Sequence, residues 1–125
     1  MAGKFGLESD GFMKAEIVGI TCSDVEDWET WQPDDPQDVY LGLELSIGWI
    51  GGQGADLFQI VIATPQSLNG RPDRRKAKLL VVQHYDGKQI RKTLDQWVSE
   101  CEQPDWPTIV DCLRRRFDWE YEGML

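Results

Sequence analysis

Val39-Tyr-Leu-Gly-Leu-Glu-Leu-Ser-Ile-Gly-Trp-Ile50 is followed by Gly51-Gly52-Gln53-Gly54 and then by Leu57-Phe-Gln-Ile-Val-Ile-Ala63. In the first run Leu41, Leu43, Leu45, Ile47 and Trp49 alternate with Gly42, Glu44, Ser46 and Gly48. That period of two places the apolar side chains on one face of a strand. The glycine-rich connection is a turn signal and the apolar run beyond it a returning strand, so residues 39–63 read as a β-hairpin. Twelve residues at ~3.3 Å each would reach about 40 Å, longer than such a domain is wide. Gly42 and Gly48 are therefore expected to mark a bend or bulge in the long strand.

Working outward, residues 12–21 are rich in apolar and β-branched side chains and read as a first strand. Met13, Ala15, Ile17 and Gly19 are expected on one face, with Lys14, Glu16, Val18 and Ile20 on the other. Downstream, Thr64-Pro65 resembles an N-cap with proline at the first helical position, opening a short helix through Leu68. A basic loop follows at 69–78, then a short apolar strand over Leu79–Gln83. Asp86 can cap a helix over Gly87–Cys101, where Ile90, Leu94, Trp97, Val98 and Cys101 form one core-facing stripe. Pro104 stops that helix, and Asp105 can cap another, with Pro107 tolerated in its first turn. Trp106, Ile109, Val110 and Leu113 share a face there, and Arg114, Arg115 and Arg116 follow at the end the helix dipole makes negative. Phe117, Trp119 and Tyr121 alternate with Asp118 and Glu120 as a last strand. Strands come first and helices last. The expected class is α+β: a mostly antiparallel sheet of about five strands, with two C-terminal helices packed on one face.

At 125 residues and 41% hydrophobic content, one domain with its own core is expected over residues 13–125, preceded by a flexible extension at 1–12. No stretch approaches the roughly 20 apolar residues of a membrane span, and no signal-peptide pattern opens the chain. Cys22, Cys101 and Cys112 are odd in number and widely spaced, which suits reduced thiols in a cytoplasmic protein. The pI near 4.5 argues against nucleic acid or an anionic membrane as partner.

From Ala15 to Gly70 the chain has no Lys, Arg or His, yet it carries ten carboxylates. Seven of these lie between residues 24 and 38: Asp24, Glu26, Asp27, Glu29, Asp34, Asp35 and Asp38. Two carboxylates ~7 Å apart in water repel by roughly 0.6 kcal/mol before screening, and a cluster adds many such terms. Pro33 and Pro36 make this segment mostly loop, with room for one helical turn over Val25–Trp31. The absence of cations over 39–70 follows from packing of the hairpin; only residues 24–38 ask for a partner. Trp28 and Trp31 sit among the acids, three residues apart. They either fold back onto the core or anchor a contact, tryptophan being enriched at interface hot spots.

Catalytic patterns are missing. His84 is the only histidine and is expected to end a buried strand, and one His with three scattered Cys supplies no zinc-ligand spacing. Residues 48–54 match a phosphate loop only in glycine content, lacking the Lys-Ser/Thr ending. A calcium loop starting at Asp24 would need glycine at its sixth position, where Glu29 stands. No catalytic residue, cofactor or metal is expected.

Several segments together resemble a known family. They are Met13-Lys-Ala-Glu-Ile17, Pro33-Asp-Asp-Pro36 before the long strand, and the Ile47-Gly48 glycine hairpin leading to Thr64-Pro65. Tyr85-Asp86, Trp97-Val98-Ser99-Glu100-Cys101-Glu102, Trp106 and Trp119-Glu120-Tyr121-Glu122 continue the pattern. In this order, over about residues 13–122, the chain resembles the bacterial immunity protein 8 family; the basic loop 69–78 departs from the pattern. The resemblance implies a non-enzymatic cytoplasmic antidote, of polymorphic toxin or contact-dependent inhibition systems, that binds and blocks a cognate toxin domain. Many such toxins are nucleases with basic surfaces. The expected partner-binding residues are Asp24, Glu26, Asp27, Trp28, Glu29, Trp31, Asp34, Asp35 and Asp38, on a chain that is a monomer or homodimer when free. An acidic adaptor or regulator unrelated to toxins fits the same residues.

Overall fold

A computed structural model of the chain describes residues 11–69, 71 and 77–121. The central hairpin is β2 (Tyr40–Trp49) and β3 (Asp56–Ala63), paired antiparallel without interruption from Tyr40↔Ala63 to Ile47↔Asp56. Leu41, Leu43, Leu45 and Ile47 of β2 are buried together with Phe58, Ile60 and Ile62 of β3, as the alternation requires. The bend expected at Gly42 or Gly48 is absent from this register. Gly48 instead lets the hairpin close, because a Cβ there would strike the Gly54 backbone. Gly51, at φ +87°, takes the left-handed turn conformation.

The irregularity lies in the neighbouring strand. β1 (Met13–Thr21) pairs antiparallel with β2, and its register slips between Ile17↔Ile47 and Gly19↔Ser46. Val18 is the extra residue and is 64% exposed. Such a bulge reverses the in–out parity beyond it. Ile20, expected on the outer face, therefore packs against the core opposite Leu45.

β4 (Leu79–Val81) is shorter than expected and runs parallel to β3, reached through the short helix α1 (Pro65–Asn69) and the basic loop. The sheet is thus mixed, with order β4-β3-β2-β1-β5. β5 (Glu102–Gln103), which has no pattern of its own, pairs with Met13 and Lys14. β6 (Asp118–Trp119) pairs with Phe58 and Gln59 of β3. Six strands replace the expected five, and the α+β class stands.

Helices α2 (Gly87–Ser99) and α3 (Trp106–Leu113) start at the expected caps. The Asp86 carboxylate accepts from the Gln89 amide, and that of Asp105 from the Thr108 amide. Ile90, Leu94 and Val98 of α2, with Ile109, Val110 and Leu113 of α3, join the same apolar core as the inward rows of β2 and β3. Phe117 ties the two together, edge-on to both Phe58 and Trp97. Asp56 Oδ2 accepts from both Trp106 Nε1 and Trp119 Nε1 at 3.3 Å, pinning the turn end of the hairpin to α3 and β6. The Arg114 carbonyl, at the end of α3, accepts from Lys78 Nζ at 2.7 Å.

Two expectations are corrected. Cys101 and Cys112 are not separate thiols but a disulfide joining the end of α2 to α3, with Cα atoms 5.7 Å apart; Cys22 alone is free. His84 does not end a buried strand, since β4 stops at Val81 and His84 is exposed. Residues 1–10, most of the expected extension, and 72–76 of the basic loop lie outside the described residues.

Candidate partner-binding surface

The acidic segment connects β1 to β2 and crosses the start of α2. Its second end is fixed just beyond β3: the Thr64 amide donates to the Val39 carbonyl and the Val39 amide to Thr64 Oγ1, each at 3.0 Å. Local turns shape the rest. The Thr30 amide reaches the Asp27 carbonyl at 3.2 Å, and the Gln37 amide reaches Asp35 Oδ1 at 3.0 Å. Residues 26–30 form this turn where one helical turn is expected.

Tyr85 holds the segment down. Its Oη donates to the Trp28 carbonyl at 2.6 Å and its amide to the Pro36 carbonyl at 2.7 Å. Its ring meets Trp31 edge-on, with centroids 5.1 Å apart. Next to it, Gly87 rests directly on the Glu29 backbone; a Cβ there would overlap the Glu29 carbonyl. The Tyr85 hydroxyl pKa is pushed up to about 12, first by burial and then by Coulombic interaction with Cys22 and Glu29. The hydroxyl stays a neutral hydrogen-bond donor throughout the physiological range.

The two tryptophans divide the alternatives left by the sequence. Trp28 is 5% exposed and belongs to the core, so it is a buried fastener and offers no contact surface. Trp31 packs partly against the core and keeps part of its surface in solvent. Asp24, Glu26, Asp27, Asp34, Asp35 and Asp38 are exposed and Glu29 is half-buried. Among the described residues no ion pair reaches any of the seven. Of the basic loop's cations among the described residues, Arg71 lies 3.9 Å over the Tyr40 ring and Lys78 turns to Asp118. A set of carboxylates fixed on a rigid frame and unneutralised within the described residues is a surface suited to an external cation.

Sequence reasoning passed over Tyr85, Gly87 and Thr64 as parts of this site. Glycine at the first position of an otherwise good helix is the one available signal, since alanine would serve better there unless a backbone lies close. Among the described residues no group of three His, Cys, Asp or Glu side chains is arranged to hold a metal ion. No helix of the described residues is long and apolar enough to cross a membrane.

No curated protein and no solved structure matches the chain. The family model described as immunity protein 8 matches residues 15–124, from the first strand past the last described one. That span includes the acidic segment, its Tyr85 clamp and both helices, so the chain belongs to the immunity protein 8 family.

Proposed function

We propose that the protein is a non-enzymatic immunity protein that binds a cognate toxin domain through the β1–β2 acidic segment and blocks it in the cytoplasm. The observation that carries this reading is the set of exposed carboxylates between Asp24 and Asp38, which no ion pair reaches among the described residues. The partner is a basic protein surface of the kind a nuclease presents to nucleic acid. Asp24, Glu26, Asp27, Asp34, Asp35 and Asp38 steer the encounter, which complementary charge accelerates more than it tightens. Glu29 and Trp31 form the half-buried part of the contact, while Trp28 supports it from beneath.

Co-expression with the protein encoded beside this chain tests the reading. The wild-type chain should restore growth and co-purify with that protein. A variant with Asp24, Asp27, Asp34 and Asp35 changed to Asn should restore growth poorly while melting normally. Full protection by that variant would remove the acidic segment from the interface, and failure of the wild type to bind would remove the toxin reading itself.

A further inference from the structure

The acidic segment does more than form a charged rim. Between it and the start of α2 lies a cleft of about 600 Å³, lined among others by Glu29, Trp31, Pro33, Pro36, Tyr85 and Lys88. That volume falls within the range of small-ligand sites. One wall is aromatic and is fixed from several directions at once. Tyr85 is held through both its hydroxyl and its amide, Trp31 rests against the Tyr85 ring, and Glu29 is seated on Gly87. Little ordering of that aromatic wall and of the Glu29 backbone is left to be done on binding, which is the main saving a preformed site offers. The charge around it is negative. Glu29 and Asp86 line it, and Asp34 and Asp35 lie between its two prolines; on the other side stand Lys88, His84 and the positive dipole end of α2.

Resting on the toxin-binding reading above, we infer that this cleft receives an arginine side chain presented by the basic partner, with Trp31 as its stacking face and Glu29 as its counter-ion. Arginine suits the walls better than lysine. Its guanidinium is planar, stacks on indole, and meets a carboxylate through a fork of parallel N–H donors. Lysine offers only a compact, strongly hydrated charge. Glu29 is the carboxylate that matters most because it alone of the seven is half-buried, and a charge pair shielded from water interacts more strongly than an exposed one. Lys88, at the cleft, opposes the incoming cation.

Titration of the isotope-labelled full chain with tetra-arginine amide and with tetra-lysine amide, followed by amide and indole proton shifts, tests this. Tetra-arginine is expected to shift the Trp31 indole and the Gly87 amide saturably, at least threefold more tightly than tetra-lysine. Glu29→Gln and Trp31→Leu should each weaken the Gly87 response about tenfold, and Lys88→Ala should strengthen it. The inference is overturned by equal response to both peptides, or by unsaturable shifts spread over residues 24–38. It is also overturned by Glu29→Gln binding like wild type; that variant changes no volume and keeps the test valid if Trp31→Leu fails to fold. Undiminished growth protection by Glu29→Gln would likewise overturn the cleft's part in the interface, leaving the toxin-binding reading in place. Saturable arginine binding without any toxin binding would sink that reading and the partner named here, while showing that the cleft accepts arginine.

Discussion

Replacing Gly87 by Ala provides a test by sign. At a helical position with ordinary dihedrals, Gly→Ala normally stabilises by about 0.4–1 kcal/mol, because alanine has less freedom to lose on folding. Gly87 opens α2 and has no left-handed φ to protect, so sequence-level reasoning expects that gain. The structure reverses it. A Cβ at position 87 would overlap the Glu29 carbonyl oxygen and lie 2.6 Å from the carbonyl carbon, where 3.4 Å is ordinary contact. Glu29 must therefore withdraw by at least ~0.8 Å, the difference of those two distances. It cannot do so freely, since Trp28 is bound to Tyr85 and Trp31 is packed on it. Overpacking against a held backbone costs about 1–3 kcal/mol. Less the propensity gain, the midpoints of these ranges leave a net destabilisation of about 1.3 kcal/mol, or about 5 °C in melting temperature for a domain of this size. Thermal unfolding followed by circular dichroism measures it. A Gly87→Ala protein that melts at or above wild type would refute the claim that the acidic segment is clamped to α2.

Three further outcomes are expected. Spectrophotometric titration of the tyrosines should find one phenol ionising near pH 12, absent in Tyr85→Phe. Because the folded-state value is raised, its stabilising contribution is complete below about pH 10 and is lost as pH rises from 10 to 12. Reducing the Cys101–Cys112 bridge, whose partners are 11 residues apart, should lower stability by about 3 kcal/mol on chain-entropy grounds; an unchanged denaturation midpoint under reductant would contradict the pairing. Asp105→Ala should lower the melting temperature at neutral pH by removing the α3 cap. The Asp105 carboxyl is held below its usual range by the Thr108 hydroxyl and amide, so the gap between the two proteins should close as pH falls through that range.

What could be read in advance follows from how each element announces itself. The central hairpin was legible because Leu41, Leu43, Leu45 and Ile47 alternate with small or polar residues, leaving one register that buries them. Helices α2 and α3 were legible from their caps and stripes, which are local signals. The bulge at Val18 was not, since Val18 and Ile20 are both β-branched and apolar, and only pairing with β2 decides which points inward. β5 is two polar residues recruited by the backbone of β1, and β4 is parallel because of where its crossover lands; neither carries a pattern. The disulfide depends on the turn between α2 and α3, which brings distant cysteines together. At the site, the carboxylates were evident from composition. The different fates of Trp28 and Trp31 were not, because both sit in the same acidic context and Tyr85, far along the chain, decides between them.

The Tyr85 clamp and the cleft beside it both belong to the surface on which the residues between Asp24 and Asp38 are proposed to meet a basic toxin. Stopped-flow association of the chain with its cognate toxin domain, measured over a range of salt concentrations, decides that proposal. The rate should approach ~10⁸ M⁻¹s⁻¹ at low salt and fall steeply as salt rises. Changing Asp24, Asp27, Asp34 and Asp35 to Asn should flatten that slope. An association rate indifferent to salt, with the same slope in wild type and variant, would contradict it.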